Sequence, residues 1–354
     1  MKYAVAVIGA ILAIAAGFFI GRSQRAVVVE QKQEQISIYY LKNDGLYQIR
    51  SDKEGEELLL TGQFKDLQLA NDRLMVASES AFMIYDLNGK QTTTTETITE
   101  ITGLRSMTAI SPDGTKVAYV KNVLINDTDS FKNELWLLDL TTGQKQKLLE
   151  ESGYYILTLN RWLDNQRILV GRAYEGASYC IFTIGVDTKL PENCVGFGEE
   201  GIGRLDRILA AENGVAYGVK RVWPEFGNSR DQTGLYQQPT VDQKQFINDD
   251  IASSLVKSGD VLYLTKLLDG TQYQAVGADV FSFNLKDESS QRLTHDATSV
   301  DTKENLKLSN NGRFLSWDSK EISTDKTKAW LYDLKLNKYY PLGDNTFSAV
   351  VVEQ

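Results

Sequence analysis

Histidine is almost absent from this chain: His295 is the one example among 354 residues. That removes the usual imidazole base of a nucleophilic triad, and Asp296, its sequence neighbour, would point to the opposite side of a strand. His295 therefore reads as a surface or loop residue at the end of Arg292-Leu-Thr-His-Asp296. Cysteine is nearly as scarce, with Cys180 and Cys194 alone. One imidazole and two thiols make no zinc ligand set, and no His-Glu-x-x-His occurs. A Gly-x-Ser-x-Gly elbow and the common phosphate-binding glycine loops are missing as well. Asn126-Asp-Thr-Asp-Ser130 alternates oxygen donors as a calcium loop does, but lacks the downstream glycine and glutamate. It reads as a solvated loop. These absences leave no catalytic residue, cofactor or metal to assign.

Proline is rare too, at five, and no low-complexity tract breaks the chain, so little length is left for disorder. Basic charge is in deficit. The formal net charge is −9, and the first twenty-five residues hold three bases (Lys2, Arg22, Arg25) and no acid. The remainder carries 35 bases against 47 acids, a net of about −12. Such a surface argues against nucleic acid and against broad adhesion to anionic lipid.

What is present begins with an apolar run. Ala4 to Ile20 is 17 residues of apolar or small side chains between Lys2 and Gly21-Arg-Ser-Gln-Arg25. Seventeen is the short limit for a bilayer span, and Tyr3 and Phe18-Phe19 suit its two interfaces. A cleaved signal peptide with Ala13-Ile-Ala15 as its site is the rival, although Gly17-Phe-Phe-Ile20 continues the run past that site. The expected division is a membrane anchor or signal sequence over 1–25, a spacer over 26–35 and one domain over 36–354. Flanking charges do not decide the orientation.

From Ile36 onward short strands and polar turns recur. Ala109-Ile-Ser-Pro-Asp-Gly-Thr-Lys-Val-Ala-Tyr-Val120 is the clearest unit: a Ser-Pro-Asp-Gly turn followed by a β-prone run. Equivalent second strands start near Ile36, Arg73, Lys116, Arg167, Gly214, Asp260 and Arg313, and their matching positions Ile38, Leu74, Val117, Ile168, Val215, Val261 and Phe314 are spaced 36 to 53 residues apart with a mean of 46. That is the span of a four-stranded propeller blade. Third strands read Leu135-Trp-Leu-Leu-Asp-Leu140, Met83-Ile-Tyr-Asp-Leu87 and Ala329-Trp-Leu-Tyr-Asp-Leu334, and polar fourth strands follow. The first unit lacks an inner strand, and Phe347-Ser-Ala-Val-Val-Val-Glu353 is an orphan strand. Pairing the two closes a ring. The expectation is all-β: a seven-bladed β-propeller of four-stranded antiparallel blades, closed by the C-terminal strand and preceded by one N-terminal transmembrane helix. An open β-solenoid or two sandwiches are the alternatives.

Ser-Pro-Asp-Gly-Thr-Lys-Val-Ala-Tyr followed by Leu-Trp-Leu-Leu-Asp-Leu-Thr-Thr-Gly-Gln resembles the repeats of TolB-type propellers, which are WD40-like. It is also similar to the N-terminal propellers of prolyl-oligopeptidase-like peptidases. The match is good over 109–149 and 306–342 and poor over Leu205–Phe246. Such repeats imply the fold and almost nothing about activity. The peptidases' α/β-hydrolase domain has no room here.

Cys180 and Cys194 flank Asp187 evenly, on the third and fourth strands of one blade, so a symmetrical hairpin would set them opposite each other. A disulfide there would contribute about 3 kcal/mol and would favour an oxidising, extracytoplasmic location; two reduced thiols are the alternative. The longer connections join strands two and three: Asn122 to Asn133, Lys220 to Thr233, Lys266 to Ala278 and Ser319 to Lys328. Elaborated loops on one face suit recognition. Arg221, Trp223 and Phe226 are the candidate binding residues there, unless Trp223 and Phe226 fold back onto the blade. The expected function is a membrane-tethered, non-catalytic protein-binding or scaffolding module outside the cytoplasm, at the periplasm or cell surface. Its partner would be a protein or cell-envelope component, not nucleic acid. A propeller enzyme acting on glycans through carboxylates or a metal in the central channel is the alternative.

Overall fold

A computed structural model describes residues 35–78, 81–87, 90–94, 108–125, 130–174, 176–187, 195–196, 207–212, 215–220, 234–240, 243–250, 252–267, 277–295, 301–321 and 326–353. The N-terminal apolar run, Cys194 and the trio Arg221, Trp223 and Phe226 lie outside them. Among the described residues there is no helix long and apolar enough to cross a membrane.

Seven four-stranded antiparallel sheets follow one another along the chain. Blade I holds β1 (Ile36–Lys42), β2 (Gly45–Arg50) and β3 (Glu56–Thr61). Blade II is β4 (Asp66–Ala70), β5 (Arg73–Ala77), β6 (Phe82–Asp86) and β7 (Gln91–Thr94). Blade III is β8 (Thr108–Ile110), β9 (Lys116–Ile125), β10 (Ser130–Asp139) and β11 (Lys145–Gly153). Blade IV is β12 (Ile156–Trp162), β13 (Arg167–Tyr174), β14 (Gly176–Thr183) and β15 (Val195–Gly196). Blade V is β16 (Arg207–Glu212), β17 (Val215–Lys220), β18 (Gly234–Thr240) and β19 (Gln243–Asn248), a regular blade despite its weak repeat signature. Blade VI is β20 (Ala252–Ser258), β21 (Val261–Leu267), β22 (Ala278–Asn284) and β23 (Ser290–Arg292). Blade VII is β24 (Asp301–Leu308), β25 (Phe314–Glu321), β26 (Thr327–Asp333) and β27 (Lys338–Pro341). The last strand, β28 (Thr346–Glu353), returns to blade I and gives it the order β28-β1-β2-β3. Ile36 pairs with Glu353 and Ile38 with Val351. The ring closes as the orphan strand predicted.

The near-continuous apolar runs of the second strands follow from burial on both faces. In β1, Ile36, Ile38 and Tyr40 pack on Phe314, Ala329 and Leu331 of blade VII, while Tyr39 and Leu41 pack on Leu67, Leu74 and Val76 of blade II. In β9, Val117 and Tyr119 meet Met75, Phe82 and Ile84 of blade II, while Ala118 and Val120 meet Leu159, Ile168 and Val170 of blade IV. Period-two alternation still operates, but it sorts side chains between two neighbours rather than between core and water. Outer strand β23 is exposed and polar throughout, and β3 and β27 begin with the charged residues Glu56, Glu57 and Lys338, which guards their free edges.

The turns explain the repeat signature. At β8–β9 the Ser111 hydroxyl donates to Asp113 (2.6 Å) and accepts the Lys116 N–H, and Asp113 accepts the Thr115 N–H and hydroxyl. Gly114 has φ +70°, and a Cβ there would lie 2.8 Å from the Ala70 carbonyl of blade II. Ser309-Asn-Asn-Gly312 repeats the device: Ser309 accepts the Phe314 N–H, and Asn311 stands where Asp113 does. In blades II, III and VII the third strand ends in an aspartate that caps the next turn. Asp139 accepts the Thr141 and Thr142 N–H groups, and Asp333 those of Lys335 and Leu336.

Candidate functional site

The seven innermost strands surround a central channel with a cavity of about 720 Å³. Its walls carry Asp66, Gln68, Arg161, Glu304 and Lys307 among apolar residues. The best defined charges are already engaged. Lys307 of β24 reaches across β28 to donate to the Leu67 carbonyl of β4 (2.6 Å) and to Ser348 Oγ (2.7 Å). Asp66 accepts the Leu67 N–H (2.9 Å) and Gln68 Nε2 (2.7 Å). Asp318, behind the wall, accepts Asn305 Nδ2 and the Ser348 N–H, each at 2.7 Å. Burial pushes the Asp318 carboxyl above its usual range, against the pull of Lys307 and these two donors. Asn305 and Ser348 sit at φ +54° and +55°, left-handed conformations that cost about 1–2 kcal/mol each. Blades VII, I and II are thereby bolted together from the channel side. The carboxylates serve the ring, and among the described residues no group of His, Cys, Asp and Glu could hold a metal ion.

The blades have two unlike ends. One carries the turns between first and second strands and between third and fourth: the turn face. The other carries the blade-to-blade links and the hairpins between second and third strands: the link face. Asp113 lies in a turn-face loop. Burial raises its carboxyl, but the bonds from Ser111 and Thr115 outweigh this and hold it below the usual range.

On the link face blade III projects. The expectation of a loop from Asn122 to Asn133 is corrected: β9 runs to Ile125 and β10 starts at Ser130, so the segment is a paired arm. Asn122 and Asn133 are buried at its base. Asn122 Nδ2 donates to the Leu157 carbonyl, Asn133 Nδ2 to that of Tyr155, and Asn133 Oδ1 accepts the Leu157 N–H. Beyond them Val123 (43%), Leu124 (57%) and Ile125 (39%) are exposed, and Tyr154 (64%) follows Gly153, the partner of Phe131. Next to this patch Tyr155 donates to Glu151 (2.5 Å) beneath the Arg172 guanidinium, which pairs with Glu151. Burial, then that carboxylate, pushes the Tyr155 hydroxyl up to about 12.

Other expected positions separate from this patch. His295 is an exposed residue beyond β23. Cys180 lies on β14, whose neighbours Ser178 and Tyr179 pair with Gly196 and Val195; its proposed partner Cys194 is outside the described residues. The connection bearing Arg221, Trp223 and Phe226 leaves β17 at Lys220 and rejoins β18 at Gly234, paired positions at the link-face end of blade V. Sequence reasoning missed Asp66, Asn122, Asn133, Lys307 and Asp318. The one available signal was a polar residue set inside or at the end of an apolar strand, as in Phe-Leu-Ser-Trp-Asp318.

No protein-family model and no curated protein matches the sequence. Solved structures do. A structure from a study of two prolyl endopeptidases is similar at 13% identity and TM-score 0.54, over 90% of this chain and 50% of that one. TolB from Acinetobacter baumannii is similar at 12% identity and TM-score 0.45, over 90% and 66%. The β-propeller domain of a Pyrococcus furiosus protease is similar at 14% and TM-score 0.48, over 78% and 82%. The chain thus spans one half to just under two thirds of the first two proteins. At such identities the likeness concerns architecture alone, and the seven-bladed β-propeller is read from the chain's own seven sheets.

Proposed function

We propose that this protein is a non-catalytic binding module, tethered to a membrane by Ala4–Ile20, with its propeller outside the cytoplasm. The arm of blade III carries the reading. Val123 and Ile125 on one side of the arm's strand and Leu124 on the other are held in water by a paired hairpin, and such exposure marks a surface that a partner covers. The link-face connection with Arg221, Trp223 and Phe226 would extend the same surface. A disulfide between Cys180 and Cys194 belongs to this reading, since it needs an oxidising compartment. A glycan-cleaving channel is less favoured, because Asp66 and Asp318 spend their lone pairs on internal donors. The test compares the full chain with Leu124→Asp as bait in cell-envelope extracts, alongside a glycan-hydrolysis screen. The expected result is a protein retained by the parent and lost by the variant, with no hydrolysis by either. Identical capture profiles together with a turnover abolished by Glu304→Gln would reverse the proposal.

A further inference from the structure

The chain enters the propeller on its turn face. Ile36 pairs with Glu353, donates its N–H to Ser51 Oγ (2.9 Å) and accepts the Ser51 N–H (2.8 Å), so the entry point lies beside the turn joining β2 to β3. From there β1 runs to Lys42 and the hairpin at the opposite end, where Asp44 accepts the Gly62 N–H of the link to blade II. In blade III, β9 runs the same way, from the Ser111–Thr115 turn to the arm. Its ten residues span about 30 Å at 3.3 Å each. The point of entry and the exposed residues Val123, Leu124 and Ile125 are therefore at opposite ends of the blades, two blades apart.

We infer that the propeller stands with its turn face toward the membrane and presents the arm and the rest of the link face away from it, to a protein partner in the aqueous phase rather than to lipid. This rests on the anchor proposed for Ala4–Ile20. The spacer bounds the alternatives. Residues 21–35, which join the anchor to β1, are fifteen in number; they reach roughly 50 Å at full extension but span only about 20 Å as a flexible chain. The flexible span is shorter than blade III is tall, so laying the arm on the bilayer that holds the N-terminus requires this tether to be pulled nearly straight along the rim, whereas the turn face is reached without stretching. With the arm held away from the bilayer, the occupant that covers its apolar residues is a protein.

The experiment uses the full chain reconstituted in vesicles that carry an energy-acceptor lipid. A donor fluorophore is placed at Thr141→Cys in the β10–β11 turn or at Leu124→Cys on the arm, the same blade at opposite faces, in a Cys180→Ala, Cys194→Ala background. Should that background not fold, a fluorescent non-natural residue at 124 or 141 in the parent chain replaces it. Transfer at least several-fold stronger from 141 than from 124 is expected. Equal or stronger transfer from 124 overturns the orientation while leaving the anchor intact. A chain that does not float with the vesicles overturns the anchor, and the orientation with it.

Discussion

Removing the Asp279 carboxylate tests whether charge or packing holds blades VI and VII together. Asp279 is fully buried at the start of β22. It accepts Arg292 Nε (2.7 Å) and the Thr294 hydroxyl (2.7 Å), pairs with the Arg292 Nη2, and lies 3.6 Å from the ammonium of Lys303 on β24. That lysine is 1% exposed and donates to the Ala278 carbonyl (2.7 Å). Asp279→Ala takes the carboxylate from two cations. Arg292 is partly exposed and can turn to water, but Lys303 cannot. Breaking a buried pair in this way costs about 3–5 kcal/mol. With an unfolding entropy of about 2.1 cal/mol/K per residue over roughly 320 residues, a 4 kcal/mol loss lowers Tm by about 6 °C. The assay is thermal and urea unfolding followed by tryptophan fluorescence, with Trp317 in the core of the same seam reporting locally. The double variant Asp279→Leu, Lys303→Met removes both charges and restores apolar packing, so it recovers most of the loss. A cost under about 1 kcal/mol for Asp279→Ala, or a double variant no better than the single one, would refute the electrostatic account.

Three further outcomes are expected. Gly114→Ala and Gly143→Ala both place a Cβ at φ near +70°, but only the first drives it against a carbonyl, while the second meets open space. The strain common to both is about 1 kcal/mol, and urea midpoints should show the Gly114 variant losing clearly more. Ending the chain at Asn345 removes Val350, Val351 and Val352, all buried, at about 1.5–3 kcal/mol each. The sum rivals a typical total stability of about 5–15 kcal/mol, so the product should be protease-sensitive and lack a cooperative transition. For pH, Asp139 is held low by the Thr142 and Thr141 N–H groups, so its contribution is present above the unfolded value of about 3.9 and is lost as pH falls. Asp318, raised by burial, acts oppositely: its ionisation costs stability as pH climbs from about 3.9 through its folded value. Stability titrations of Asp139→Asn and Asp318→Asn should therefore flatten opposite limbs, and parallel changes would contradict the sign.

The ring itself was legible in the chain. Turn chemistry such as Ser111-Pro-Asp-Gly114 is local, because its bonds run between residues at most five apart, and so each copy announced a hairpin. The orphan strand at Phe347–Glu353 and the incomplete first unit also predicted closure, since an unpaired edge has to be satisfied somewhere. The site was not legible in the same way. Lys307 meets Leu67 across 240 positions and Asp66 meets Ser348 across 282, and no spacing rule links them. The Asn122–Asn133 segment looked like a loop because its buried asparagines are polar. They are polar because they bond the backbone of the next blade, which only the packed ring brings within reach. Sequence alone determined the repeating hairpins and the closing strand, whose causes are local or periodic. Tertiary structure decided which acids are spent on the channel wall, how far the blade III arm projects and which face the chain enters, because those depend on contacts between distant strands.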